Sequence, residues 1–181
     1  MCLLLVTMTN TWAFSQEQDR RHPFQDLFVT TSATHVIVFG KLENQLSDEM
    51  ISTLKSGLPI TFAFFVELYR ENKKAPILRK HFFHTLSYDT LKESYKVLLG
   101  EANAKISQFS ELNKAHNFMS EINGVKIIPI EALDEKSIYT FKIRAKLFEK
   151  TVPMGLQRIL PFLHHWDLET DWQTLQFNYA Q

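Results

Sequence analysis

Residues 60–70 read Ile-Thr-Phe-Ala-Phe-Phe-Val-Glu-Leu-Tyr-Arg. In an extended chain successive side chains point to opposite faces. Ile60, Phe62, Phe64, Val66 and Leu68 then form an all-apolar face, and Thr61, Ala63, Phe65, Glu67 and Tyr69 a mixed one. This is the pattern of a strand buried on one side and partly covered on the other. The polar turn Glu71-Asn72-Lys73-Lys74 leads into an antiparallel return strand over Ile77–Tyr88, and a third strand near Glu93–Leu99 completes a meander.

Upstream of the aromatic strand, Ser47-Asp48-Glu49 opens a short helix. Ser47 is suited to accept backbone N–H bonds as the N-cap, and the two carboxylates favour the positive end of the helix dipole. Gly57 closes it as the first residue past the C-cap. Leu27–Leu42 is strand-like with a break at Thr30-Thr31-Ser32, and Gln16–Phe24 is a polar lead-in. Downstream, Leu112, Ala115, Phe118, Met119 and Ile122 recur at helical spacing. They predict a second helix over Ser110–Asn123, capped by Ser110 and stopped by Gly124. Val125–Pro129 is a short strand or connector. Ser137–Phe148 alternates cleanly, with Tyr139, Phe141, Ile143, Ala145 and Leu147 toward the core, and Thr174–Tyr179 makes a last strand. The helices are too few to cross over between this many strands. The expected fold is mainly β in the α+β class, an antiparallel β-sandwich of about seven to nine strands with two short inserted helices.

Twenty Lys+Arg balance twenty Asp+Glu in the 181 residues. The basic excess of a nucleic-acid binder is absent, so no nucleic-acid partner is expected. No charged residue precedes Glu17, and Cys2–Trp12 is largely apolar. That run matches the apolar region of a secretory signal, roughly 7–15 residues, and falls short of the ~20 of a membrane-spanning helix. Residues 1–15 are read as a signal peptide cleaved near Ser15, with cleavage after Ala13 the alternative, although no Lys or Arg precedes the apolar run. Residues 16–181 form one expected domain, periplasmic and not itself transmembrane, without a cysteine once the signal is removed. Thiol catalysis and Cys-ligated metal are then excluded.

His81 and His84, three apart in a strand, point to opposite faces and cannot share a metal, and the adjacent His164 and His165 diverge similarly. Asp167, Glu169 and Asp171 alternate as at the start of a calcium loop, but Trp172 replaces the glycine that the turn needs. Ser87, Asp89 and His84 are merely close in sequence, which does not make a triad. No nucleophile elbow, P-loop, dinucleotide fingerprint or zinc-protease motif occurs. No catalytic residue, metal or cofactor is therefore expected. Trp166 and Trp172 either close a core edge or form a recognition patch. Arg144, on the face opposite the core set, is expected to pair with a carboxylate such as Glu67 or Asp171, or to serve a partner surface. Tyr88 and Tyr95 are read as buried phenols.

Four stretches occur in a telling order: Leu54-Lys-Ser-Gly57-Leu58-Pro59-Ile60-Thr-Phe62, Leu86-Ser-Tyr88-Asp-Thr-Leu91-Lys-Glu-Ser-Tyr95-Lys-Val97, Tyr139-Thr-Phe141-Lys-Ile143-Arg144-Ala145-Lys-Leu147, and Trp166-Asp-Leu-Glu-Thr-Asp171-Trp172. The series, spanning about Leu27 to Phe177, resembles the proteobacterial exported family called domain of unknown function 4390 (DUF4390). Val152-Pro153 stands where that family tends to have Leu-Pro. The resemblance implies a small exported β-rich protein with no assigned activity and no established site residues. It also implies a frequent genetic setting beside a sensor kinase and response regulator, and hence an envelope signalling partner.

The leading expectation is a non-enzymatic periplasmic interaction domain that binds a membrane protein, with Arg144, Trp166 and Trp172 as candidate contact residues. The alternative is a small-ligand or lipid carrier with a pocket between the sheets lined by Phe64, Phe65, Tyr69 and Phe83. An envelope hydrolase is the third.

Overall fold

The computed structural model describes residues 22–101, 104–148 and 168–179. Among the described residues nine strands form two antiparallel sheets, with two α-helices between them in the chain, as the sequence pattern predicts. Strands β1 (Phe24–Thr31) and β2 (His35–Leu42) make a hairpin; Ser32 Oγ accepts the His35 N–H at 3.0 Å in its turn. Helix α1 (Asp48–Lys55) crosses to a second sheet made of β3 (Ile60–Arg70), β4 (Leu78–Asp89), β5 (Ser94–Gly100) and β6 (Lys105–Phe109). Helix α2 (Leu112–Ser120) returns the chain to the first sheet as β7 (Glu121–Pro129), and a single 3-10 turn leads to β8 (Ile138–Leu147) and then β9 (Gln173–Asn178) in the second. The small sheet has the order β1-β2-β7 and the large one β6-β5-β4-β3-β8-β9.

The alternation in residues 60–70 is realised as read. Phe64 and Leu68 are fully buried, and Ile60, Phe62 and Val66 nearly so. Across the register their neighbours Phe82, Leu86, Phe141, Ile143, Ala145 and Leu147 continue the same apolar layer. The small sheet covers this layer with Val36, Val38 and Val125. Phe24 of β1 reaches Phe64 of β3 at 6.3 Å, and Lys80 of β4 donates to the Lys126 carbonyl of β7 at 2.5 Å. Phe64 stacks on Phe82 at 4.9 Å, so the middle of the sandwich is filled by rings.

Helix α1 is built from its local sequence. Ser47 Oγ accepts the Met50 N–H at 3.3 Å. At the far end Gly57 N–H bonds the Leu54 carbonyl and Leu58 N–H the Thr53 carbonyl, the paired closure that requires a left-handed residue. Gly57 supplies it at φ 93°.

Three boundaries differ from the sequence reading. Phe24 begins β1 and is buried, where a lead-in was expected. Helix α2 ends at Ser120 without a side-chain cap at its start, where Glu111 and not Ser110 is the capping residue. Ile122 keeps its place in the core, but as part of β7, because Glu121, Ile122 and Asn123 pair with Lys41, Gly40 and Phe39 of β2. Gly124 consequently lies inside a strand at φ 72°, against the Phe39 ring, and does not stop a helix. Strand β6 was not foreseen; its residues Lys-Ile-Ser-Gln-Phe carry little apolar periodicity and pair with β5.

Candidate functional site

The inner face of the large sheet is consumed by the core, and its outer face is not. Register places Phe65, Glu67 and Tyr69 of β3 beside His81 and Arg79 of β4 on one side and Arg144, Lys142 and Thr140 of β8 on the other. This is the mixed face read from the sequence, now extended over three strands.

Arg144 is its centre. The guanidinium carbon lies 5.3 Å from the Phe65 ring centroid and 4.8 Å from that of Trp172, so the cation is held between two aromatic faces. One guanidinium nitrogen donates to Glu169, and Lys146 Nζ reaches the other oxygen of that carboxylate at 3.0 Å. The Lys146 hydrogen bond first, with the Arg144 charge, holds the Glu169 carboxyl below its usual pKa. Arg144 Nε is buried and has no hydrogen-bond partner among the described residues. The expected pairing with Glu67 or Asp171 is thus replaced by one with Glu169. The isolated bridge between Lys146 and Glu169 sets Glu169 beside β8, and Glu67 is already engaged. Its two oxygens accept the Tyr69 hydroxyl at 2.6 Å and Arg79 Nε at 3.0 Å. The Tyr69 hydrogen bond is the main cause of its lowered pKa, and the same bond raises that of Tyr69.

A shallow cleft of about 220 Å³ opens here between Phe65, Glu67, Arg79, His81, Arg144 and Trp172. Trp172 is 37% exposed, and two further apolar side chains, Phe148 and Leu168, are exposed at the same end of β8. Phe148 stands edge-on to Phe83 at 5.4 Å, and the Leu168 carbonyl accepts the Leu147 N–H. Trp166 and His164-His165, like the signal segment 1–15 and Asp167, lie outside the described residues.

The other sequence candidates disperse. Phe64 and Phe65 point to opposite sides of β3, so Phe64 belongs to the core while Phe65, Tyr69 and Phe83 belong to the outer face. The four do not line one pocket. His84 is fully buried between Phe64 (4.8 Å) and Phe82 (5.4 Å), with Nδ1 2.7 Å from the Met119 carbonyl and Nε2 3.3 Å from Glu101. His81 is on the outer face, as the three-residue spacing requires. Ser87 bonds the Lys96 carbonyl, and Asp89 serves the Leu91 and Lys92 amides and Lys96, so neither is aimed at His84. Tyr95 is buried and Tyr88 half-buried, their rings 4.9 Å apart. Among the described residues no group of three or more His, Cys, Asp or Glu is placed to hold a metal, and no helix is long and apolar enough to cross a membrane. The arrangement at Arg144 is equipped to bind: it offers a cation with flat apolar walls and fixed neighbours.

No curated protein and no solved structure matches the chain. A family profile described as "Domain of unknown function (DUF4390)" matches residues 23–176, which include every strand up to most of β9. The ordered stretches and the profile agree, and the chain belongs to the DUF4390 family.

Proposed function

We propose that this chain is an exported, periplasmic, non-enzymatic interaction domain that docks the outer face of its large sheet on the periplasmic region of a membrane-embedded signalling protein. The observation that carries this reading is Arg144 clasped between Phe65 and Trp172 on an exposed sheet face, with its buried Nε unpartnered among the described residues. Arginine and aromatic side chains are the groups that dominate binding energy at protein interfaces. Among the described residues of this face Arg79, Lys142 and Arg144 outnumber Glu67 and Glu169, in a chain with no net charge, so the complementary partner surface is acidic. The uncharged apolar run at residues 2–12 supports export, and the sensor-kinase setting expected of the family supports the choice of partner.

Crosslinking in cells tests it, with a C-terminally tagged full-length chain and mass spectrometry of the membrane fraction. A sensor kinase with an acidic periplasmic region should be enriched. Arg144→Ala with Trp172→Ala should abolish its capture, since truncating such anchors costs about 2 kcal/mol or more each. An empty capture from well-expressed, exported protein would overturn the reading. Undiminished capture by the double variant would move the interface off this face.

A further inference from the structure

A second and larger recess lies beside Gln173, the residue that follows Trp172 in the chain. Where β1 and β9 meet, a cleft of about 920 Å³ opens between Phe24, Asp26, Glu43, Asn44, Gln45 and Gln173. That volume falls within the range of small-molecule sites, roughly 300–1,000 Å³. Its walls carry amides and carboxylates, and several of these polar groups have no protein partner among the described residues.

Gln173 is held by one end. Its Oε1 accepts the Phe24 N–H at 3.0 Å, and its amide nitrogen bonds nothing among the described residues. Asn44 is held in the same way: Oδ1 lies 3.0 Å from the Ser120 hydroxyl, while Nδ2 is buried without a partner among the described residues. Ser120 Oγ is also 2.9 Å from the His116 carbonyl oxygen, so its single proton can go to either acceptor, and the Asn44 amide can sit either way round with one end served and the other buried without a partner among the described residues. The Asp26 and Glu43 carboxylates have no ion-pair partner among the described residues. Asp26 is presented by a bulge in β1 between Gln25 and Phe28, where its φ is 47°.

We propose that this cleft binds a hydroxyl-rich ligand, a saccharide or polyol. A hydroxyl both donates and accepts, so it serves either end of the Asn44 amide. Adjacent hydroxyls on one ring accept from the Gln173 amide and donate to the Asp26 and Glu43 carboxylates. An anionic ligand would meet two carboxylates, with His22 as the one basic side chain among the described residues that line the cleft. A cationic ligand would use the carboxylates and face the amide donors unfavourably. Phe24 is 2% exposed and offers no stacking face, so the affinity expected is millimolar. This site is separate from the Arg144 face and does not depend on the docking role proposed for it.

Proton–nitrogen correlation spectra of the full chain test the proposal. Glucose, trehalose and N-acetylglucosamine are titrated alongside spermidine and calcium chloride. At least one saccharide should produce saturable shifts at the Asn44 and Gln173 side-chain amides and at the Asp26 backbone. Asp26→Asn, at an exposed position whose left-handed φ asparagine accepts, should weaken binding roughly tenfold or more, since it removes a charged hydrogen-bond acceptor. Asn44→Ala should do the same, provided its unfolding midpoint shows that it is folded. No saturable shift with any saccharide would overturn the proposal. So would shifts with spermidine or calcium alone, or saccharide binding that both variants leave unchanged.

Discussion

Adjacent phenylalanines in β3 provide the sharpest test of the architecture. Phe64 is fully buried, stacked on Phe82 and in contact with Phe24 and His84, while Phe65 lies on the outer face under Arg144. A buried phenylalanine removes roughly 150–250 Å² from water. At ~25 cal/mol per Å² the part that alanine does not replace is worth about 3 kcal/mol. The hole left between rings that cannot collapse adds to this, and Phe64→Ala should cost about 3–5 kcal/mol. Phe65→Ala loses partial burial and one cation–π contact of about 0.5–1 kcal/mol, for a total of about 1–1.5 kcal/mol. Urea unfolding of wild type and both variants measures this directly: midpoints should separate by variant while the slopes stay common. Equal losses, or a Phe64→Ala cost under ~1.5 kcal/mol, would refute the reasoning. The small Phe64→Ala cost would mean that the layer around Phe64 is not solid and that a cavity between the sheets deserves a ligand search, and equal large losses that Phe65 is buried as well.

Gly100→Ala in β5 should destabilise by about 1–3 kcal/mol, although glycine to alanine in a strand ordinarily helps, because the new Cβ would lie 2.7 Å from the Phe83 carbonyl oxygen; thermal unfolding reads the sign. Ser47→Ala removes the acceptor for the Met50 N–H and should cost about 1 kcal/mol by the same assay. Stability should fall on acidification in two stages. Burial, helped by the Lys41 charge, pushes the His116 pKa below its ordinary 6.5, so the unfolded chain binds the proton more readily; the contribution is complete above about 6.5 and is lost as pH drops toward the folded value. The hydrogen bond from Lys96 similarly lowers the Asp89 pKa from 3.8, giving stability that is present above that value and lost below it. Urea midpoints against pH should show the upper stage flattened in His116→Asn and the lower one in Asp89→Asn, and unchanged profiles would contradict the assignments.

Much of the fold was legible because its signals are local. The period-two patterns of Ile60–Arg70 and Ile138–Leu147 give both their extended form and their buried faces, and Ser47 with Gly57 brackets α1 by hydrogen bonds made within a few residues. The end of α2 was not legible. Ile122 continues the helical spacing of Phe118 and Met119, and only the unpaired edge of β2, distant in sequence, draws Glu121 onward into a strand. Strand β6 escaped for a related reason: Lys105–Phe109 has no apolar rhythm and is extended because β5 offers it a ladder.

The candidate site divides along the same line. Alternation put Arg144 opposite the core, and a tryptophan in a polar segment marked Trp172 as a side chain with a choice between packing and recognition. That both meet Phe65, that Glu169 takes the guanidinium and not Glu67, and that His84 is a core residue depend on which strands lie side by side. Residue chemistry and periodicity act over a few positions and are written in the chain. Cross-strand register and sheet packing join residues 24 and 173, or 65, 144 and 172, and arise only when the whole apolar layer closes at once.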